Sequence, residues 1–316
     1  MRKAFIILGS VVLVFLLAVG GYGFYLYKSV QSTVDSEMHA PLERTTTEKR
    51  DIEVDMDEQD PVSFLLLGVD ADESTTGRTD TMMVVTLNPN DESMKIVSLP
   101  RDTRMEIVGR GFDDKVNHAY AFGGPDMAIA TVENYFDIPI DYYLTVNMEG
   151  FKEMVDSVGG VTVYNDSSFD QSGYTFDEGE NFLDGDQALA YARMRKQDTR
   201  GDLGRNDRQR QIVAGMIKEG ASFSSITRAE SILDAMGNNM LTNLQFNEMV
   251  KLQQNYLGAR HDQETYEIEG SGQTIDGIWY LMVPEEERQR VSGELRAHLG
   301  LDDDSVVVND EEEENE

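Results

Sequence analysis

The sequence predicts an α/β fold: a three-layer α-β-α single domain with a mixed central sheet, preceded by one transmembrane helix. Three observations carry that prediction. Strand-like and helix-like runs alternate between residues 61 and 300, the pattern of helices layered on a sheet. Two strand-like runs, TMMVVTL at 81–87 and MKIVSLP at 94–100, are separated by the turn-rich NPNDES, so the sheet holds a hairpin and is not wholly parallel. Residues 4–27 are 24 consecutive positions without a charge.

In chain order, residues 1–3 read as a cytoplasmic N-terminus and 4–27 as a signal-anchor. At a helical rise of about 1.5 Å per residue that run crosses a hydrocarbon core of about 30 Å. Arg2 and Lys3 keep the N-terminus cytoplasmic, which places the remainder outside the cell membrane. Residues 28–60 are polar, lack a sustained apolar period and read as an extracytoplasmic stalk. PVSFLLLGVD at 61–70 is an apolar run ending near glycine, consistent with a strand buried on both faces. After the hairpin, 125–136 reads as a helix with proline in its first turn and 140–147 as a strand. Residues 149–158 form a short helix closed by Gly159 and Gly160, and VTVYN at 161–165 is a further strand. Asp184 or Asp186 starts a helix running to 196, and a loop with Gly201 and Gly204 leads into a second helix over 205–218. Amphipathic segments at 229–236 and 246–257 precede a last strand near 265–269. The tail, 301–316, contains nine acidic residues and is expected to be disordered.

Composition narrows the function classes. Asp and Glu number 59 against 27 Lys and Arg, a formal charge of -32, which argues against a nucleic-acid partner. The absence of cysteine removes disulfides, thiol nucleophiles and thiolate metal sites. No Walker loop, H-E-x-x-H, G-x-S-x-G or strand-linked G-x-G-x-x-G is present, and the four histidines are scattered. His118 reads as a packing or hydrogen-bonding residue.

What remains is a set of three Arg/Asp clusters. GVDADESTTGRTDTM spans 68–82, SLPRDTRMEI spans 98–107, and YARMRKQDTRGDLGRNDRQRQ spans 191–211. The first two follow strands directly, and in α/β sheets ligands bind beyond the carboxyl ends of strands. The third places six arginines and one lysine between 193 and 210 in an acidic chain, with glycines just before a helix N-terminus. Guanidinium forks match phosphate oxygens. Arg205, Arg208 and Gln209 stand at spacings that share a helix face, while Ile212, Val213 and Met216 anchor it. Asp70, Asp80 and Asp202 either pair with these arginines or hold Mg²⁺ beside a phosphate ligand.

LLLGVD, GRTDTMMVVTLN, IVSLPRDTR, DKVNHAYAFGG and LDGDQALAYARMRK…GDLGRNDRQRQ resemble, in order and spacing, the LytR-CpsA-Psr family of cell-envelope proteins. The resemblance covers about 62–299 and includes the preceding anchor. It implies a transferase that moves a glycopolymer, such as wall teichoic acid or capsular polysaccharide, from an undecaprenyl-pyrophosphate carrier to peptidoglycan. Arg78 and Asp80 match the family's GRTDT motif, and Arg101 its PRD. Arg193 and Arg195 match Y-x-R-x-R, and Asp202, Arg205 and Gln209 match GD-x-GR-x-x-R-Q. By resemblance the arginines bind the pyrophosphate, Asp80 with Asp202 coordinates Mg²⁺, and Lys115 and Asn117 stand at the pocket rim. Asp80 and Arg101 are the catalytic candidates, with Asp80 or Asp102 accepting a proton; Lys196 and Arg200 have no assigned role. The lipid tail requires an apolar pocket between sheet and helices. Two other classes stay open: a polyprenyl-pyrophosphate phosphatase or pyrophosphatase using the same residues, and a non-catalytic wall-binding module.

Overall fold

The computed structural model describes residues 25, 27–29, 31–44, 49–50, 53–71, 74–195, 197–220, 237 and 239–301. The expected membrane span apart from Tyr25 and Tyr27, the helix expected at 229–236, Lys196 and the tail from 302 lie outside them. Among the described residues no helix is long and apolar enough to cross a membrane.

The centre is a six-stranded mixed sheet. β1 (Val62–Val69), β2 (Thr79–Asn88) and β3 (Ser93–Ser98) form an antiparallel meander. Parallel to β1 lies β6 (Tyr142–Val146), followed by the edge strand β11 (Met240–Thr242); on the other side β12 (Asp262–Glu267) runs parallel to β3. The continuous apolar run of β1 is explained by cover on both faces. On one face Leu65, Leu67, Met82 and Val84 pack with Ile129, Val132 and Phe136 of α1 (Asn117–Phe136) and with Val291 and Leu295 of α6 (Glu285–His298). On the other, Phe64, Met83, Val85 and Ile96 meet Val213 and Ile217 of α4 (Asp202–Gly220) and Met249 and Leu252 of α5 (Phe246–Asn255).

Beside this second face lies a smaller cluster. α2 (Met148–Ser157) and α3 (Gly185–Arg193) pack with α4 around Val155, Tyr191 and Ile212. The expected strand VTVYN is β7 (Val161–Asn165), but it pairs only with β10 (Gly179–Leu183), outside the central sheet. Its alternating burial fits a ribbon wet on one side. Two further hairpins matter below: β4 (Arg104–Ile107) with β5 (Phe112–Lys115), and β13 (Ser271–Ile275) with β14 (Ile278–Met282).

Several expectations change. The strand expected last, near 265–269, is β12 and is followed by β13 and β14, and the helix expected to run to 196 ends at Arg193. The helix expected at 125–136 begins at Asn117, with non-helical Gly123 and Gly124 making a kink ahead of Pro125. Within the segment read as a stalk, 28–60, sparse apolar residues fasten several of the described positions to the domain. Val34 and Met38 are buried with Met240, and Met56 is buried with Val62 and Tyr256. Ala40 N–H donates to Thr242 O at 2.8 Å, Arg44 pairs with Glu133, and the Tyr27 ring meets Phe246 at 5.0 Å.

Candidate active site

β1 and β3 are both antiparallel to β2, so their ends and the start of β2 meet at one end of the sheet. Asp70 follows β1, Arg78 precedes β2, and Arg101 follows β3. The ladder breaks here: Gly68 faces Thr81 and Val69 faces Thr79, which leaves Asp80 as the extra residue of a β-bulge. A bulge turns its side chain out of the pleat, in this case towards the sheet's mouth. Glycine at 68 makes the approach possible, since a Cβ there would stand 2.9 Å from Thr81 Cβ. Arg101 sits in a tight turn closed by Thr103 N–H donating to Pro100 O at 2.9 Å.

The third cluster arrives from α3 and α4. A capping box at Asp184 starts α3, and Gly201, at φ 62°, reverses the chain before α4. The first turns of α4 then point Asp202 and Arg205 at Arg101. Arg101 Nη1 lies 2.6 Å from Asp80 Oδ2, and its Nε lies 3.6 Å from Asp102 and 3.9 Å from Asp202. Asp202 also meets Arg205 at 3.0 Å and Arg195 at 3.4 Å. Burial works against the Arg101 charge, but Asp80, Asp202 and Asp102 outweigh it and hold its pKa above the ordinary value. Arg205 is the reverse case. Burial lowers its pKa, Arg101 and Arg195 repel it, and its buried Nε has no hydrogen-bond partner. A further anion would relieve it.

The cluster closes the mouth of an apolar cavity of about 580 Å³ between the sheet, α2, α3 and α4. Leu66, Met83, Val85, Leu144, Phe151 and Met216 are among its walls, while Asp70, Asp80, Arg193, Arg205 and Gln209 stand at the polar end. This is the apolar pocket expected between sheet and helices.

The sequence-derived candidates are placed as follows. Asp80, Arg101, Arg195, Asp202 and Arg205 form one connected network. Arg193 lies 3.9 Å from Asp70 and 3.3 Å from Met148 Sδ, so Asp70 is joined to Arg193 rather than to the Asp80–Asp202 pair. Arg78 is exposed, and its carbonyl accepts from Asp70 N–H at 3.3 Å. Lys115 is not on the cavity rim: its Nζ lies 2.6 Å from Asp102 Oδ1 and acts on Arg101 through that carboxylate. Asn117 is buried behind the turn, with its N–H donating to Arg101 O at 3.3 Å. Arg208 does not share the face of Arg205. It is buried against Asp198 at 2.6 Å and Met194 O at 2.6 Å, stacked over Phe169, and braces the 194–201 loop. Arg200 pairs with Asp207 and Asp198 at 3.4 and 3.6 Å. His118 has a hydrogen-bonding role, with Nδ1 2.7 Å from Asp114. The cavity walls were missed because nothing in an apolar side chain marks it as lining rather than core.

Mg²⁺ takes oxygen donors, and the carboxylates of the cluster are the groups that could supply them. Among the described residues no group of three or more His, Cys, Asp or Glu could hold a metal ion alone. Asp202 Oδ1, however, is buried and has no hydrogen-bond partner. That oxygen has Arg195 Nε at 3.4 Å and no closer donor; one or two carboxylates completed by substrate phosphate and water is an ordinary Mg²⁺ arrangement, so Asp202 can contribute to such a site.

A family model described as LytR_cpsA_psr family matches residues 24–297. The chain belongs to that family. Among LytR_cpsA_psr relatives, the Halalkalibacterium halodurans protein named polyisoprenyl-teichoic acid--peptidoglycan teichoic acid transferase TagU is 57% identical over 304 residues, covering 95% of this chain and 100% of its own. The Oceanobacillus iheyensis protein of the same name is 50% identical, over 92% of this chain and 93% of its own. The crystal structure of B. subtilis TagU superimposes with a TM-score of 0.63 at 42% identity, over 76% of this chain and 97% of that one. TagT bound to LIIa-WTA gives a TM-score of 0.72 at 32% identity, over 83% and 100% respectively.

Proposed function

We propose that this chain transfers an anionic glycopolymer, of the wall teichoic acid class, from an undecaprenyl-pyrophosphate carrier to peptidoglycan during cell wall biogenesis. The observation that carries this reading is the junction of an apolar cavity with an arginine–aspartate cluster at its mouth. A lipid diphosphate has that polarity, with a hydrocarbon tail on one side and a doubly charged group beside it. The names of the relatives support the polymer and the acceptor.

In the proposed reaction an acceptor sugar hydroxyl attacks the phosphorus attached to the polymer. A P–O bond forms to the acceptor, the bond to the bridging anhydride oxygen breaks, and the electron pair leaves on undecaprenyl phosphate. Arg205 and Arg193, lining the cavity end, hold the diphosphate; Arg101, fixed by three carboxylates, faces the charge that develops as the bridge breaks. Mg²⁺, held by Asp202 and Asp80, would supply further charge neutralisation and orientation of the phosphates. The hydroxyl proton goes to a carboxylate of the cluster, Asp80 or Asp102. In this reading a single span at 4–27 anchors the chain in the cell membrane, with this site outside.

The test incubates the full chain with lipid-pyrophosphate-linked glycan and peptidoglycan, with Mg²⁺ or with chelator. The expected result is a covalent glycan–peptidoglycan product with release of polyprenyl monophosphate, lost on chelation. Release of free glycan to water without any covalent product would assign a hydrolase instead.

A further inference from the structure

Beyond the arginine cluster, exposed aromatic side chains stand at two neighbouring places. Phe112 and Phe122, 47% and 39% exposed, pack edge to face at 6.1 Å. Trp279, the chain's one tryptophan, is 48% exposed beside Ile278 and lies across Gly272. A polar relay ties the first ridge to the β14 strand through Tyr280, on the opposite face of that strand from Trp279. Tyr280 O–H donates to Asp114 Oδ1 at 3.3 Å, His118 Nδ1 lies 2.7 Å from Asp114 Oδ2, and the His118 ring meets Phe122 at 5.8 Å.

Both ridges are bonded to the turn that carries Arg101. Leu281 N–H donates to Asp102 O at 2.9 Å, Val116 N–H donates to Thr103 O at 2.9 Å, and Lys115 holds Asp102. Trp279 is two residues from Leu281 and Phe112 three from Lys115, about 7 and 10 Å at strand spacing. The donor's tail would occupy the cavity, so the attacking hydroxyl has to come from the solvent side of that turn. The ridges are small and separated by charge: Arg110 lies over Phe122 at 5.1 Å and Arg104 pairs with Asp113 at 2.6 Å. The buried centre of a protein–protein interface is depleted of charge, whereas charged side chains stand between these ridges. A glycan tolerates them, because the negative face of an aromatic ring attracts the polarised C–H bonds of a pyranose while flanking polar groups take its hydroxyls.

We infer that Trp279 and the Phe112–Phe122 pair form the acceptor subsite, on which the glycan strand of peptidoglycan docks; this rests on the transfer reading above. The lone tryptophan makes the surface directly observable. Linear, uncrosslinked peptidoglycan glycan strands, titrated into the full chain without donor, shift its emission saturably, and Phe122→Ala weakens that binding about tenfold, the loss of about 1.4 kcal/mol. In the transfer assay Trp279→Ala raises the acceptor KM by about tenfold and leaves the donor KM within about twofold. An emission blind to the strands in a protein that performs transfer overturns the inference. So does a donor KM that rises as far as the acceptor KM, or an equal shift produced by the lipid-linked donor alone. If strands shift the emission but no covalent product ever forms, the docking surface stands and the transfer reading falls.

Discussion

Arg101 works because its neighbours leave it one orientation. The turn at Pro100–Thr103 fixes its backbone, Asp80 meets its Nη1, and Asp102 and Asp202 both face its Nε. Replacing it with alanine is expected to lower transfer kcat by about 100-fold or more, the scale of losing one donor to developing charge, while the melting temperature stays near that of the parent. Arg101→Lys should not restore the rate, since a point ammonium cannot replace a fork engaged by several carboxylates. Arg208, three residues from Arg205 on the same helix, predicts the opposite phenotype. Its pair with Asp198 is buried on both sides, so Arg208→Ala should cost about 3 kcal/mol in urea unfolding. Asp198 carries the same message in its titration. Burial pushes its pKa up, but Arg208 and the Arg200 N–H outweigh this and hold it below the ordinary value. Its contribution to stability is therefore present above the unfolded carboxylate pKa and is lost as pH falls through the folded one.

At the scale of elements, α6 supplies a pH-dependent clamp on the central meander. His298, at its end, is buried, with Nδ1 2.7 Å from Thr86 Oγ1 on β2 and Nε2 2.9 Å from Ser93 Oγ on β3. Burial, aided by repulsion from Lys95, brings its pKa from 6.5 down to about 4. The unfolded chain thus binds the proton more readily, and stability falls on acidification from about pH 6.5 towards 4, by about 3 kcal/mol if this group acts alone. Equilibrium unfolding across that range should show the slope, and His298→Gln should flatten it. α6 itself was not legible, because its apolar stripe is only Val291, Leu295 and Leu299 on an otherwise charged helix. The β13–β14 hairpin did carry a signal. Asp276 and Gly277, at φ 51° and 82°, form the Asp-Gly turn that the sequence displays between TI and IW. The meander β1–β3 and the helices α2 to α4 were readable because long apolar runs and caps mark them. In the site, the arginines and aspartates were readable as clusters at strand ends, but spacing alone could not tell the face of Arg205 from that of Arg208.

For the molecule as a whole, the charge of -32 surrounds a site that must accept an anionic polymer. At low salt, where the Debye length is about 30 Å, the acidic surface repels the donor over long range, and at about 100 mM that length shrinks to about 10 Å; raising salt from about 10 to 100 mM at fixed Mg²⁺ should therefore increase kcat/KM for the donor. A monotonic fall would mean that attraction by the arginines dominates capture. The fastening of the N-terminal segment has a further consequence, and it concerns reach. Had residues 28–60 hung free, 33 residues would have let the domain wander about 110 Å from the bilayer. Val34 is buried in the domain and the Tyr27 ring already meets Phe246, so if the proposed span ends at Tyr27 almost no free chain lies between it and the domain. Under the proposed anchoring, so short a connection would keep the site beside a lipid-linked donor, and the polymer's own length would bridge the distance to the acceptor.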